Sequence, residues 1–148
     1  MHIVINSIDT DSLSLIGFTP TPSFKVTFSS QSFRGTARLA PASEIADVKT
    51  GSEFDVEIAQ ESVSEFRLSE KSGNVCVEPI LPLGDFKVRG IVRYLSLPSE
   101  PVGNQITYVQ ADEADFCLAL KDIRDLRPAV GTTVEFIVHD LSMWDTAI

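Results

Sequence analysis

Cysteine is scarce in this chain, two residues among 148, and two thiols cannot build the disulfide framework of a small secreted domain. Histidine is equally scarce at two, and neither His-Glu-x-x-His nor Cys-x-x-Cys occurs. No Gly-x-Ser-x-Gly elbow and no glycine-rich phosphate loop is present either, so the motif routes to zinc, nucleotide and nucleophile chemistry are missing. Positive charge is short as well. Lys and Arg number 12 against 21 Asp and Glu, a formal charge of −9, which disfavours general binding to nucleic acid or anionic lipid. No apolar run approaches membrane-spanning length. The opening "MHIVINSIDTDSLSLIG" has no basic n-region and meets Asp9 and Asp11 early, unlike a signal peptide. These absences make the cytoplasm the expected compartment.

What is present is globular. Hydrophobic residues make up 43% and charged residues 22%, and a single unit of this length buries roughly 70% of its unfolded surface. No cofactor or metal is needed to hold such a core. The acidity is uneven: residues 99–148 hold nine acidic and three basic side chains, and residues 1–98 hold 12 and nine. Cys76 lies in Val75-Cys76-Val77 and Cys117 in Phe116-Cys117-Leu118, apolar runs in which thiols are expected as small buried hydrophobes.

Alternation dominates. Phe54, Val56 and Ile58 would share one strand face and Glu53, Asp55 and Glu57 the other. Val134, Phe136 and Val138 repeat this opposite Glu135, Ile137 and His139. Residues 51–66 ("GSEFDVEIAQESVSEF") and 131–145 ("GTTVEFIVHDLSMWD") thus read as two versions of one segment. In register, Phe54 matches Val134 and Val56 matches Phe136.

"FKVTF" at 24–28 and "FKVRGIVRY" at 86–94 supply a second pair of landmarks. The Phe-Lys-Val landmarks lie 62 residues apart and the glycines 80 apart, placing about 18 extra residues in 95–112. Between landmarks each half offers a strand and then a segment with helical-turn character, "PASEIADVKT" and "KDIRDLRPAV". Ser72-Gly73-Asn74 has hairpin-turn chemistry between two apolar runs. Pro79, Pro82 and Gly84 mark the best boundary.

The expected fold is therefore all-β: two similar small barrel-like units of the OB or SH3-like kind packed together, or one fused β-barrel, with short helical turns. The units would be residues 1–80 and 86–148 joined by a linker at 81–85, alternatively one compact domain over 1–148.

Chemistry is harder to find. His139 and Asp140 are neighbours on a strand and point to opposite faces, so they do not form a triad pair. Asp112, Glu113 and Asp115, with Asp122 and Asp125 nearby, lack the spacing and glycine of a calcium loop. Lys87, Arg89 and Arg93 share a face without interleaved aromatics, a weak design for single-stranded nucleic acid. Ile137 interrupts a polar face, and Met143 and Trp144 are residue types enriched in contact surfaces, although core burial is their commoner fate.

The leading expectation is a non-enzymatic binding or accessory protein with an acidic surface, for example an immunity- or inhibitor-type protein for a basic partner, or a self-associating one. Its candidate partner-binding residues are Ile137, His139, Met143, Trp144, Asp112, Glu113 and Asp115. The alternatives are a small enzyme or ligand-binding barrel with a pocket between the halves, and a single-strand nucleic-acid binder using Lys87, Arg89 and Arg93.

Overall fold

The computed structural model describes residues 1–69, 74–80, 84–124 and 126–147. Ser72 and Gly73 of the expected turn, Pro82 within the expected linker, and Asp125 lie outside them. Among the described residues the chain forms eleven strands: β1 (His2–Ile16), β2 (Thr21–Ser29), β3 (Arg34–Ala40), β4 (Glu53–Ala59), β5 (Ser62–Leu68), β6 (Cys76–Ile80), β7 (Asp85–Leu95), β8 (Ile106–Ala111), β9 (Ala114–Ala119), β10 (Thr133–His139) and β11 (Ser142–Asp145). Short 3₁₀ turns occupy Ile45–Asp47 and Val102–Asn104. The fold is all-β, as the alternation predicts.

Strands β1, β2, β3, β11 and β4 close into a barrel in that order. A second sheet runs β5-β10-β7-β8-β9, with β6 alongside β7. Inside each strand the period of two sends apolar residues inward: Val134, Phe136 and Val138 are buried, and Val56 is buried between exposed Asp55 and Glu57.

The two sheets trade strands. The chain leaves the barrel between β4 and β5 and returns to it between β10 and β11. β4 pairs antiparallel with β11 from Ala59↔Ser142 to Val56↔Asp145. β5 pairs antiparallel with β10 from Ser62↔His139 to Leu68↔Val134, and Glu61 N–H donates to His139 O at 3.0 Å at the crossing. The two look-alike segments therefore lie side by side, each supplying one strand to the barrel and one to the second sheet. Their openings have the same hydrogen bonding. Gly51 N–H donates to Ile5 O at 2.7 Å and Ile5 N–H to Ser52 O at 2.9 Å; Gly131 N–H donates to Val92 O at 2.8 Å and Val92 N–H to Thr132 O at 3.0 Å. Both glycines sit in the left-handed region, at φ +87° and +91°, where a Cβ is disfavoured.

Two expectations change. By these ladders β7 corresponds to β1, whereas the first Phe-Lys-Val lies in β2. That three-letter identity carries only strand alternation and does not mark equivalent positions. The runs flanking residues 72–74 are not hairpin partners: β5 pairs with β10, and β6 pairs with β7. A turn signal specifies that the chain reverses, not which strand it then meets, and Pro79 suits β6 to pairing on one side only. The second helical segment does form turns over 120–124 around buried Ile123, and a further 3₁₀ turn lies at Val102–Asn104. Of residues 81–85 only Gly84 and Asp85 are described, and Asp85 opens β7.

One continuous core joins the two sheets. Phe33 meets Phe28 at 5.7 Å and Phe86 at 5.9 Å between ring centres, both edge-to-face. Phe86 of the second sheet thus packs on barrel rings. A Cβ on Gly35 would come within 2.5 Å of the Phe86 ring, so glycine is required there for close approach. A second group stacks Phe66 on Phe136 at 6.1 Å, with Phe116 edge-on to Phe136 at 5.7 Å.

The thiols correct the sequence reading. Both are free; Cys117 is exposed and Cys76 half-buried. Alternation explains this, because buried Val77, Phe116 and Leu118 claim the inner face and turn their neighbours outward. Burial, with the nearby Glu78 carboxylate, pushes the Cys76 thiol's pKa up. A maleimide is therefore expected to label Cys117 rapidly in the native protein and Cys76 much more slowly. Mass-mapped labelling checks this, and equal rates would place Cys76 in the open.

Candidate functional site

β4 of the barrel and β9 of the second sheet lie close without pairing, and acidic groups of both line a groove there. Glu53, Asp55 and Glu57 line the exposed face of β4. In the second sheet, Asp112 sits exposed at the β8–β9 turn with φ +53°, Glu113 is half-buried and Asp115 is exposed. A groove of about 340 Å³ lies here, lined by Met1, Glu57, Ile58, Tyr108, Glu113 and Asp115 among others. Glu113 is fixed in place: Ser32 N–H donates to Oε1 at 3.2 Å and the Ser32 hydroxyl donates to Oε2. Burial alone would raise its pKa, but hydrogen bonds from the Ser30 and Ser32 hydroxyls outweigh it and hold the carboxyl below the usual range. Tyr108 is 40% exposed and lies 6.0 Å from Tyr94, itself 47% exposed. Gln60 Nε2 donates to Cys117 O at 2.8 Å, tying the crossing to β9. Among the described residues no group of three or more His, Cys, Asp and Glu is placed to hold a metal ion.

On the outer face of the second sheet, Glu135 is only 5% exposed and takes two arginines. Its Oε1 accepts from Arg89 Nε at 2.6 Å and its Oε2 from Arg67 Nε at 2.7 Å. The Arg89 hydrogen bond, joined by that from Arg67, outweighs burial and holds the Glu135 carboxyl's pKa below the ordinary range. Because its folded-state pKa is lowered, the stabilisation is present above the unfolded value of about 4.3 and is lost as pH falls toward the folded pKa. Glu135→Gln is expected to be less stable than wild type at neutral pH and to lose less on acidification below about pH 4. Urea midpoints across pH check this, and parallel curves would remove Glu135 from the acid response. Arg89 of the basic stripe is thus committed to Glu135, Arg93 Nε donates to Gln110 at 3.0 Å, and Lys87 is exposed.

Ile137 and His139 are half-buried on this same face. His139 closes β10, Asp140 follows it outside the strand at φ +52°, and His139 meets two groups from other strands. Its Nδ1 lies 2.8 Å from Asp85 Oδ2 and its Nε2 lies 2.6 Å from Ser64 Oγ. No family model, curated protein or solved structure matches this chain.

The other candidate residues lie on the barrel. Met143 is fully buried within it. Trp144 is half-buried on the outer surface against Gly17, where a Cβ would come within 2.5 Å of the indole. Residues 10–13 break the β1–β2 register, so the tip of that hairpin folds over the barrel wall. Between tip and wall lies a groove of about 660 Å³ that includes Ile16, Gly17, Arg38, Gln60, Asp140 and Trp144. Leu13, Leu15 and Phe18 on this arm are exposed, at 61%, 63% and 107%. Sequence reasoning found the acidic run and the outer-face histidine. It missed Ser64, Asp85, Tyr108 and the arm, because only strand pairing assembles them.

Proposed function

We propose that the protein is a cytoplasmic binding or accessory protein that docks a basic protein partner at the acidic groove between β4 and β9. The observation that carries this reading is the convergence of Glu57, Glu113 and Asp115 with the exposed Tyr108 ring in one groove. A lysine or arginine entering it meets carboxylates and an aromatic face together, which favours a cation over a neutral side chain. Glu113 is charged and held before the partner arrives, so little ordering is needed on binding. The net charge of −9 would speed encounter with a basic surface, in the manner of an inhibitor or immunity protein. An internal repeat accompanies this reading, supported by the matched hydrogen bonds at Gly51 and Gly131.

An arginine-rich peptide is the test probe. Binding by calorimetry is expected to weaken between about 0.05 and 0.3 M salt, as the screening length shortens. Glu57→Lys with Asp115→Lys should weaken it by at least about tenfold, or roughly 1.4 kcal/mol. Undiminished binding by the double variant would remove the groove as the site. A second reading, ligand binding between the two sheets, is favoured by the groove of about 660 Å³ beneath the β1–β2 arm.

A further inference from the structure

We propose that Ser64 is a base-activated nucleophile, with His139 as its general base and Asp85 as the residue that positions the histidine, acting on small acyl esters. This goes beyond the binding reading and stands on a different face. Three strands of the second sheet supply the three groups: Ser64 from β5, His139 from β10 and Asp85 from β7. The register sets Ser64 opposite Ile137 and Ser62 opposite His139, so Ser64 is a diagonal neighbour of the histidine on the same face.

The direction of the hydrogen bonds follows from the donors. Asp85 is 7% exposed, and its Oδ1 accepts Asp140 N–H at 3.2 Å. Its Oδ2, 2.8 Å from His139 Nδ1, can only accept as a carboxylate, so Nδ1 carries the hydrogen. In the neutral ring Nε2 then holds the lone pair, directed at the Ser64 hydroxyl 2.6 Å away. A serine donating to a histidine whose tautomer is set by a buried carboxylate is the arrangement of a general-base nucleophile. The site is open to reagents, since the His139 side chain is 33% exposed. The residue after Ser64 is unusual too: Glu65 has φ +54°, inside the register shift of the β5–β10 ladder. Strain of this kind needs surrounding support and clusters at functional positions. Beside Ile137, the cross-strand neighbour of Ser64, lies a depression of about 230 Å³ lined by Glu65, Arg67, Lys87, Glu135, Phe136 and Ile137. Its size suits a short acyl chain on Ile137, and Lys87 suits a negative group at the far end.

In the reaction, Ser64 Oγ forms a bond to the ester's carbonyl carbon while its proton passes to His139 Nε2. The carbon–oxygen bond to the alcohol then breaks, and Nε2 returns that proton to the departing oxygen. Free alcohol and an acyl-serine result. Water repeats the sequence, releasing the carboxylic acid and restoring Ser64.

A fluorophosphonate, which traps activated serines by losing fluoride, is the first probe, and p-nitrophenyl acetate the second. The folded wild-type chain is expected to gain one adduct, mapped to Ser64, and the urea-unfolded chain none. His139→Gln is expected to slow Ser64 labelling by at least about 100-fold. Asp85→Asn, whose amide can donate to Nδ1 and reverse the tautomer, should slow it by at least about tenfold while circular dichroism shows the same folded content. Acetate release should follow the same order, which a merely structural hydrogen bond would not produce. Absence of a Ser64 adduct in the folded wild type, or equal labelling of His139→Gln, overturns the proposal.

Discussion

A chain ended after Asp140 is expected to lose its cooperative unfolding transition and most of its β-sheet signal. The residues removed include β11, which sits inside the barrel between β3 and β4 and not at an edge. Its three pairings with β3 are parallel and its four with β4 antiparallel. Without it, two edges of unpaired backbone face each other across an open core. Leu141 and Met143, 1% and 0% exposed, leave with it. Each such side chain is worth about 2–5 kcal/mol on truncation to alanine alone. Two of them, with the lost ladder, approach the entire stability of about 5–15 kcal/mol expected for a domain. Because one core spans both sheets, the second sheet should not survive as an independent unit. Circular dichroism and urea titration test this. A truncated chain with an unchanged midpoint would mean that β11 is not the closing strand.

Phe136→Ala is expected to destabilise the protein by about 3–5 kcal/mol, the range for a buried phenylalanine. Its ring is 1% exposed, stacks on Phe66 and receives the edge of Phe116, so the cavity would open between three strands. Phe54, which matches Val134 in the sequence pattern, is only partly buried against the core. Phe54→Ala should therefore cost less than Phe136→Ala. Glu57 points outward, and its alanine variant should stay within about 0.5 kcal/mol of wild type. Urea midpoints of the three variants decide the order. If Phe54→Ala costs more than Phe136→Ala, the core is centred on the barrel and not shared by both sheets.

The all-β class and the facing of most strands were legible in the letters. The alternation at 53–58 and at 133–138 places Val56 and Phe136 inward and Asp55 and Ile137 outward without any knowledge of neighbours. The same rule, applied strictly, would also have turned Cys76 and Cys117 outward. Their apolar flanks misled because an apolar run reads as buried even when every second residue faces water.

Pairing was not legible. A period of two says which way a side chain points, but not which distant strand lies beside it. That choice depends on loop lengths, on the packing of Phe86 against Phe28 and Phe33, and on where the crossings at 60–61 and 140–141 meet. Hence the trade of β5 and β11 between sheets, the acidic seam between β4 and β9, and the meeting of Ser64, Asp85 and His139 were decided by tertiary structure alone. Ser64 and His139 are 75 residues apart, and Asp85 and His139 are 54 apart. Strand alternation is a property of each strand by itself. Contacts at such separations form only when the free energy of a shared core outweighs the entropy of closing the intervening chain.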